Sequence, residues 1–306
     1  MTKYIIRRIL TAIPIMIAVV FIIFMLLQVL PGNPISIMMG EKAKPAVIER
    51  VSRELGLYDP VLVRFGRYVW NALHGDFGRS YKLNRQVSDL IKLSFPNTVR
   101  LAISASLFAW LMGIPAGIIS AIKRNKFVDH FVMAIALVGI SSPVFWGAML
   151  LQFVFGFKLK LLPLSGYNSY KHMILPAIIL GWASAGSIAR MVRSNLLEVM
   201  KNDYIRTARS KGLKPWAVVY KHALKNSLMP VVTLMAIQFA GMLSGAVITE
   251  TVFGIGGIGR LTVDAINNRD MPLLQGATIF STLIIIIGNM AADIMYSFLD
   301  PRIRDR

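Results

Sequence analysis

A glycine run in the C-terminal third of the chain, Gly254-Ile255-Gly256-Gly257-Ile258-Gly259, has the GxGxxG spacing of dinucleotide-binding folds. That chemistry requires a buried strand before the run, a helix after it and an acid about 20 residues later. Here a long apolar segment precedes the run, and position 274 is Leu. A phosphate-binding loop fails as well, because Arg260 and Leu261 stand where Lys and Ser or Thr are required. The run therefore predicts no nucleotide site, and the chain has no means of its own to hydrolyse ATP.

Acid–base, thiol and metal chemistry also lack the necessary residues or spacing. Cysteine is absent, which removes thiol catalysis, Cys-ligated metal and disulfides. No Ser–His or paired-Asp arrangement lies in the long apolar segments, so an intramembrane protease is a remote alternative. Four histidines occur without ligand-like spacing: His74, His130, His172 and His222. We expect no catalytic residue, no cofactor and no metal site in this chain.

The charged residues are segregated along the sequence. Lys and Arg number 34 and Asp and Glu 15, and the resulting formal charge of +19 would by itself suggest a nucleic-acid-binding protein. Six windows, however, carry no charge: 9–40, 101–122, 130–157, 172–189, 226–249 and 271–292. A helix needs about 20 apolar residues to cross the roughly 30 Å hydrocarbon core of a membrane. The pattern predicts an all-α polytopic membrane protein with six transmembrane helices embedded in membrane lipid, and no nucleic acid partner.

Basic residues indicate the orientation of such a protein, because they concentrate on the cytoplasmic side of the membrane. Eighteen of the Lys and Arg residues lie in four segments: 1–8, 123–129, 190–225 and 298–306. We therefore expect a multi-pass protein of the cell (inner) membrane with both termini in the cytoplasm. Its regions are an N-terminal tail and first span (1–30), an extracytoplasmic helical loop (31–97) and a core of spans 2–6 (98–306).

The extracytoplasmic loop carries three helical patterns. The first runs from Pro45 to Leu55 and stops at Gly56, the second from Pro60 to about Leu73, and the third from about Val87 to Leu93. We predict a small helical cap over the bundle rather than an independent domain.

One carboxylate, Asp293, lies well inside a predicted span, with Asn289 one turn earlier on the same face. Intramembrane acids are costly, so they face the bundle interior or a partner. We expect a structural pair with Arg190 as the candidate partner, and a proton-relay role is the alternative. Three further polar residues are candidates for lining a route through the bundle: Gln238, Ser244 and Gln275.

The inner loop 193–226 is too long for a simple connection between two spans. Asn202 and Asp203 are placed to cap a short helix from Tyr204 to Lys211, which Gly212 would end. Pro215 would then start a second helix that includes His222 and Leu224. On the first helix the apolar stripe is Tyr204, Ile205 and Ala208, whereas the basic residues point elsewhere. The residues alone leave two interpretations open, an element that transmits movement from a cytoplasmic partner and a solvated basic loop.

This loop resembles that of the permeases of binding-protein-dependent ABC importers, and more narrowly the first permease of their dipeptide/oligopeptide/nickel group. The similar stretches are Asp203-Tyr204-Ile205-Arg206-Thr207-Ala208-Arg209-Ser210-Lys211-Gly212-Leu213, then His222-Ala223-Leu224-Lys225-Asn226 and Leu228-Met229-Pro230. Other segments agree in order along the chain: Arg7-Arg8, Pro31-Gly32-Asn33-Pro34, His74-Gly75-Asp76-Phe77-Gly78, Ile174-Leu175-Pro176, Asn268-Arg269-Asp270 and Asp300-Pro301-Arg302-Ile303.

The resemblance implies a permease that pairs with a second, homologous permease. Its other partners would be two cytoplasmic ABC ATPases, which carry ATP and Mg²⁺, and an extracytoplasmic solute-binding protein. In that family the inner loop is the coupling helix seated in a cleft of the ATPase. The broad family signature begins Glu-Ala-Ala, and here Arg206-Thr207-Ala208 occupies those positions while Gly212 is retained. The residues implied in coupling are Asp203, Tyr204, Ile205, Arg206, Thr207, Ala208, Lys211, Gly212, Leu213, His222 and Leu224.

The permease group carries a similar Glu-, Phe- and Gly-rich stretch between spans five and six. We interpret this stretch as a tight, irregular segment at the outer mouth of the pore. Non-helical backbone at membrane depth is tolerated only where protein covers it or where it lines a water-filled cavity. It would form part of an outer gate or touch the docked binding protein, and a simple hairpin turn is the alternative. The residues concerned are Glu250, Phe253, Gly254, Gly257 and Gly259.

The function that we expect is therefore half of the pore of an ATP-driven importer, with no chemical reaction on the solute. Di- and oligopeptides are the expected cargo, and nickel or another metal chelate is the alternative. A proton-coupled secondary transporter that relies on Asp293 is a more remote possibility.

Overall fold

The computed structural model describes residues 2–29, 49, 52–53, 56 and 58–299. Within these residues the regular structure is helical and strands are absent, which confirms the all-α prediction. The helices, in chain order, are α1 (Thr2–Val29), α2 (Val61–Leu73), α3 (Val87–Ile122), α4 (Phe127–Ser141), α5 (Val144–Lys158), α6 (Lys171–Val199), α7 (Asp203–Ser210), α8 (Pro215–Leu243), α9 (Val247–Val252), α10 (Ile258–Asn267) and α11 (Met271–Leu299).

Among the described helices, α1, α3, α6, α8 and α11 are each long and apolar enough to cross a membrane. The third predicted window, 130–157, instead contains α4 and α5, which meet at 106°. Pro143 explains the break, because it lacks an N–H and disfavours helical backbone at Ser142, whose ψ is 134°. The prediction of six spans is confirmed when this bent pair is counted as one.

The predicted cap differs from the observed structure in one helix. The pattern from Pro60 to Leu73 is confirmed as α2. The pattern at Val87 is not a separate helix, because α3 begins there and continues without a break to Ile122 over 36 residues. Asp89 and Lys92 placed this helical pattern outside the uncharged window 101–122, so it was predicted as a separate helix. Most of the predicted helix 45–55 lies outside the described residues.

Small residues allow α3 and α6 to pack along most of their lengths. A Cβ atom at Gly113 of α3 would lie 2.7 Å from the carbonyl oxygen of Ala185 in α6. Gly181 of α6 approaches the backbone of α3 in the same way, with 2.5 Å between such a Cβ and the carbonyl oxygen of Ala105. Van der Waals packing over small residues is a main source of helix association in membranes. These two helices therefore form the frame to which the other elements attach.

The bundle has two ends, which we name by their connections. The inner end consists of the turn 123–126 and the segment 200–214, and the outer end consists of the segments 74–86 and 244–270. An apolar cluster at the inner end joins α3, α6, α7 and α8. Two clusters at the outer end include residues of α3, α10 and α11 in one, and of α5, α6 and the glycine run in the other. Each end is thus packed as a unit around α3.

Candidate functional site

The inner loop forms the short helix that its sequence predicts. Helix α7 runs from Asp203 to Ser210 after Asn202, whose backbone is extended as expected of a cap residue. The Asn202 side chain makes no capping hydrogen bond, so the predicted side-chain cap is wrong. Gly212 has φ +76° and donates its N–H to the carbonyl of Arg209 at 2.9 Å, which confirms it as the stop.

One face of α7 is buried in the bundle. Ile205 is fully buried and Ala208 is 6% exposed, and both belong to the apolar cluster of the inner end. The same cluster contains Leu196 of α6 and Val218 of α8. Tyr204 does not follow the predicted stripe, because it is largely exposed and its hydroxyl accepts a hydrogen bond from Asn226 Nδ2 at 2.9 Å. Helix α7 is therefore fixed to the ends of three spans.

The opposite face of α7 is polar and open. Arg206, Thr207 and Lys211 are exposed, and Arg206 pairs with Asp203 at 3.5 Å across one turn. Both side chains of this pair are highly exposed, so the pair adds little to stability. Leu213 after the glycine is also partly exposed. This face is therefore accessible from outside the bundle and carries mainly polar and basic side chains.

The predicted second helix of the loop is not separate. The segment from Pro215 through His222 and Leu224 is the start of α8, which continues to Leu243. A π-helical turn at Val218–Ala223 absorbs an extra residue without ending the helix. His222 is exposed, whereas Leu224 packs against the inner apolar cluster. This part of the loop therefore moves together with α8, which is the fifth predicted span.

A buried ion pair, which the sequence analysis missed, lies at the inner end of the bundle. Asp129 at the start of α4 is 1% exposed, and Arg193 of α6 binds it through Nε–Oδ1 at 2.7 Å and Nη2–Oδ2 at 2.8 Å. Asp129 also accepts hydrogen bonds from the Ser120 hydroxyl of α3 and from the Asn125 N–H. This two-point geometry is the strong form of an Arg–carboxylate contact. It joins α3, α4 and α6 at the inner end, and the only signal in the sequence was an Asp directly beside an uncharged window.

At the outer end, Glu250 is the centre of a buried hydrogen-bond cluster. It is fully buried, and its carboxylate accepts the Thr98 hydroxyl of α3 at 2.8 Å and the Arg260 N–H of α10 at 3.0 Å. Thr98 Oγ1 in turn accepts the N–H of Ile258 at 2.9 Å. Burial raises the pKa of Glu250 above the ordinary value of a carboxyl group, although the hydrogen bonds oppose that shift.

The glycine run is shaped around this carboxylate. A Cβ atom at Gly257 would lie 2.5 Å from Glu250 Oε2, and one at Gly259 would lie 2.7 Å from the Cα of Val247. Gly254 has φ +65°, a conformation that glycine adopts without strain. The spacing that imitates a dinucleotide motif thus serves close packing between α9 and α10.

Glu250 and Phe253 are interior residues in this conformation, since Phe253 is 1% exposed within an apolar cluster. Direct contact of either side chain with a docked protein would require the segment to open. Their assignment to an outer gate, together with that of the three glycines, stays a prediction.

Asp270 is a second buried carboxylate of the outer end that the sequence analysis did not assign to a role. It is 1% exposed, and it accepts hydrogen bonds from the Ser80 hydroxyl and from the N–H groups of Tyr81 and Lys82. The Leu273 N–H in the first turn of α11 is a further donor, at 3.3 Å. Asp270 therefore attaches the segment 74–86 to the beginning of α11, where a negative charge also suits the helix dipole.

The predicted partner of Asp293 is wrong. Its Oδ2 lies 3.0 Å from Nη2 of Arg8 in α1, and Arg190 is not its partner. Both side chains of the pair are substantially exposed, at 46% for Arg8 and 36% for Asp293. Because α1 and α11 pack side by side, the pair joins the first and last spans.

The three candidate pathway residues lie on or at the end of α8 and on α11. Ser244 donates to the Gly241 carbonyl at 2.7 Å at the end of α8. Gln238 Oε1 and Gln275 Nε2 are buried without a hydrogen-bond partner, on α8 and α11 respectively. Buried amide atoms normally find partners, so these two are suited to a ligand or water. A place in the pathway stays a prediction for all three residues.

The described residues contain no group of three or more His, Asp or Glu side chains that could hold a metal ion. In that part of the chain, His74 and His172 instead make local hydrogen bonds, to Trp70 and Ser169.

Two family models together match nearly the entire chain. The model described as binding-protein-dependent transport system inner membrane component matches residues 113–305, and its N-terminal counterpart matches residues 1–102. The dipeptide transport system permease protein of Alkalihalophilus pseudofirmus is 39% identical, over 99% of this chain and 100% of that protein. The glutathione transport system permease protein of Escherichia coli strain K12 is 41% identical, over 99% of both chains.

Solved structures resemble the fold at low sequence identity. A methionine ABC transporter in inward-facing conformations matches with a TM-score of 0.58 and 19% identity, over 69% of this chain and 96% of the other. An amino acid ABC transporter matches with a TM-score of 0.54 and 16% identity, over 70% and 94%. These similarities concern the arrangement of the helices alone.

Proposed function

This chain belongs to the family of binding-protein-dependent transport system inner membrane components, and from that premise we propose that it forms half of the pore of an ATP-driven importer of di- and oligopeptides. It is a permease subunit of an ABC importer. The relatives described above are named for dipeptide and glutathione transport, and both compounds contain peptide bonds. Their names favour peptide cargo over the alternative of nickel or a metal chelate.

The observation that carries the proposal is that α7 is buried on one face and exposed on the other. Its inner face, Ile205 and Ala208, is packed against α6 and α8, whereas its outer face is polar and exposed. A helix held in this way moves with the spans and presents a surface to a partner in the cytoplasm. We assign this surface to an ATPase, and a solvated loop without a partner would not require the buried face.

The two long helices beside α7 would transmit the movement. Helix α6 has 29 residues and α8 also has 29. At about 1.5 Å per residue each is about 43 Å long, longer than the roughly 30 Å hydrocarbon core. Each helix therefore extends beyond the core at one end or both. Closure of the ATPases would push α7, and α6 and α8 would tilt as rigid levers to change access to the pore.

The partners of the chain follow from this assignment. They are a second, homologous permease, two cytoplasmic ABC ATPases that hold ATP and Mg²⁺, and an extracytoplasmic solute-binding protein. The chain itself would need no cofactor. Both termini would lie in the cytoplasm, on the same side as α7 and most basic residues.

We place the outer gate at the segment around Glu250. Its buried carboxylate holds the glycine run against Thr98 of α3, so a shift of α3 would break these hydrogen bonds and release the segment. A proton-coupled secondary transporter is the less favoured function, because Asp293 is paired with Arg8 rather than available as a carrier of protons.

The test is uptake of a labelled dipeptide by proteoliposomes that contain the complete importer, with ATP enclosed and the binding protein outside. Ala208→Asp buries an unpaired charge beneath α7, and we expect it to abolish ATP-driven uptake and to weaken ATPase assembly while membrane insertion survives. Ser210→Asp places the same charge on an exposed position of the same helix. It is the control for membrane insertion and stability only, because the exposed face of α7 is assigned to the ATPase.

Normal uptake by the Ala208→Asp variant would contradict the coupling role of α7. Uptake that a proton gradient drives without ATP would instead establish a secondary transporter and refute the proposed function as a whole.

A further inference from the structure

A cavity of about 500 Å³ opens at the inner end of the bundle, between α7 and the ends of three spans. Its floor is apolar and includes Ile122 of α3, Leu197 of α6, Met200 directly after α6, and Val219 of α8. Its volume is in the range of ordinary ligand sites. The coupling role of α7 does not use this cavity.

The position of the cavity relative to the membrane follows from one of its lining residues. Arg124 lies in the turn 123–126 between α3 and α4, and α4 begins at Phe127. A turn of only four residues between two membrane helices must lie at the membrane surface. The cavity therefore reaches the level of the lipid headgroups, and its apolar lining lies at the ends of the spans.

Three basic side chains line the same cavity: Arg124, Lys201 and Arg209. In the described part of the chain none of them lies within salt-bridge distance of a carboxylate. The Arg209 guanidinium rests near the floor, with Nη2 3.9 Å from Met200 Sδ. A formal charge of +3 thus borders an apolar surface, and no carboxylate of the described residues pairs with it.

We propose that this cavity binds an anionic phospholipid of the adjacent leaflet. The lipid phosphate would lie among Arg124, Lys201 and Arg209, and one acyl chain would cover the apolar floor. Basic pockets between membrane helices at the cytoplasmic surface are suited to such headgroups. A small hydrated anion would leave the floor exposed to water, whereas an amphiphile satisfies both parts of the site.

The bound lipid would also affect the coupling of α7 to the spans. Arg209 belongs to α7, Lys201 follows α6, and Arg124 follows α3, so one phosphate would connect three elements that the transport cycle must move together. The inference goes beyond the proposed function and depends on it only for the leaflet, which is cytoplasmic in the proposed orientation.

The first experiment measures lipid binding by the full-length chain purified in detergent. Native mass spectrometry would record retention of phosphatidylglycerol and of phosphatidylcholine with the same acyl chains. The variant combines Arg124→Gln, Lys201→Gln and Arg209→Gln. The control combines Lys126→Gln, Lys221→Gln and Lys225→Gln, which removes the same charge from exposed residues that do not line the cavity.

We expect wild type and control to retain phosphatidylglycerol over phosphatidylcholine. The cavity variant should lose this preference by roughly a hundredfold, because each basic residue at a membrane surface contributes roughly fivefold at low salt. High salt should weaken the preference in wild type. Ile122→Ser keeps the three charges, and we expect it to lower retention of both lipids because the floor is less apolar.

Three results would overturn the proposal. The first is equal loss of phosphatidylglycerol in the control and cavity variants. The second is full displacement of the lipid by inorganic phosphate, which would assign the three bases to a soluble anion. The third is loss of ATPase assembly by the cavity variant to the same degree in phosphatidylcholine and phosphatidylglycerol vesicles, which would assign them to the ATPase. ATP-driven peptide uptake by wild type tests the proposed function separately.

Discussion

Arg193→Gln removes the charge of the Arg193 side chain, and we expect it to destabilise the inner end of the bundle strongly. Asp129 is 1% exposed, and Arg193 supplies its two shortest N–H hydrogen bonds. Loss of one partner from a buried pair costs about 3–5 kcal/mol, because the remaining charge stays buried without compensation. Asp129 keeps the Ser120 and Asn125 donors, and the Arg193 side chain is 28% exposed. We therefore expect Arg193→Gln to lower the free energy of unfolding by about 3 kcal/mol, the lower end of this range, which changes the unfolding equilibrium constant by roughly a hundredfold.

The assay is a double-mutant cycle on the purified chain in mixed micelles, with reversible unfolding by dodecyl sulfate followed by tryptophan fluorescence. Its members are wild type, Asp129→Asn, Arg193→Gln and the double variant. Because the double variant leaves no buried charge, we expect it to recover part of the loss, with an interaction energy in the range of about 0.5–3 kcal/mol seen for residues in contact.

Arg190→Gln is the matched control, since Arg190 is an exposed arginine on the same helix without a described carboxylate partner. Its effect should stay within about 0.5 kcal/mol, as for most surface substitutions. The reasoning is refuted if Arg193→Gln costs no more than Arg190→Gln, or if the two single effects in the cycle are additive.

Three further predictions concern the other sites. Because the folded-state pKa of Glu250 is raised, its contribution to stability is fully present below the unfolded pKa of about 4.3 and is lost as pH rises through the folded pKa. The thermal unfolding temperature of wild type should therefore fall as pH rises through mildly acidic values, and that of Glu250→Gln should not show this dependence. Equal pH dependence in both proteins would contradict the prediction. Asp270→Ala removes the acceptor of two part-buried N–H groups, those of Tyr81 and Lys82, at about 1 kcal/mol each. Limited proteolysis between residues 79 and 86 should therefore become faster, and unchanged cleavage would argue against the anchoring role of Asp270. The Cβ of Gly212→Ala meets no neighbouring atom, but the residue must keep φ +76°, which should lower the free energy of unfolding by about 1–2 kcal/mol. The control is Gly241→Ala in α8, which also has no close neighbour and should be neutral or stabilising. An equal loss of stability in both variants would be inconsistent with backbone strain as the cause.

Local patterns in the sequence predicted those features that depend on neighbouring residues. The uncharged windows predicted the membrane helices, since the span requirement is one of length and polarity over consecutive residues. The helix Tyr204–Lys211 and its stop at Gly212 were predicted within one residue, because capping and left-handed backbone are local properties. Pro143 carried the signal for the bend in the third span, but the apolar content of the window concealed it.

The incorrect predictions had a common physical origin. Val87 and Pro215 each marked a true helix start, but the continuation into a span depended on packing beyond the charged residues near each start. Arg190 was a reasonable partner for Asp293 by depth in the membrane, whereas the choice of Arg8 depends on the contact between α1 and α11.

The sequence alone therefore predicted the class of the protein, its long apolar helices and the short helix of the inner loop. Only the tertiary structure decided which charges are neutralised and which are available. Asp129 and Arg193 are 64 positions apart, Thr98 and Glu250 152, and Ser80 and Asp270 190. Hydrogen bonds and ion pairs act over a few ångströms, so such partners are defined by how the helices pack and not by their spacing along the chain. The same packing places Arg124, Lys201 and Arg209 around one apolar cavity, where no carboxylate in the described part of the chain pairs with them.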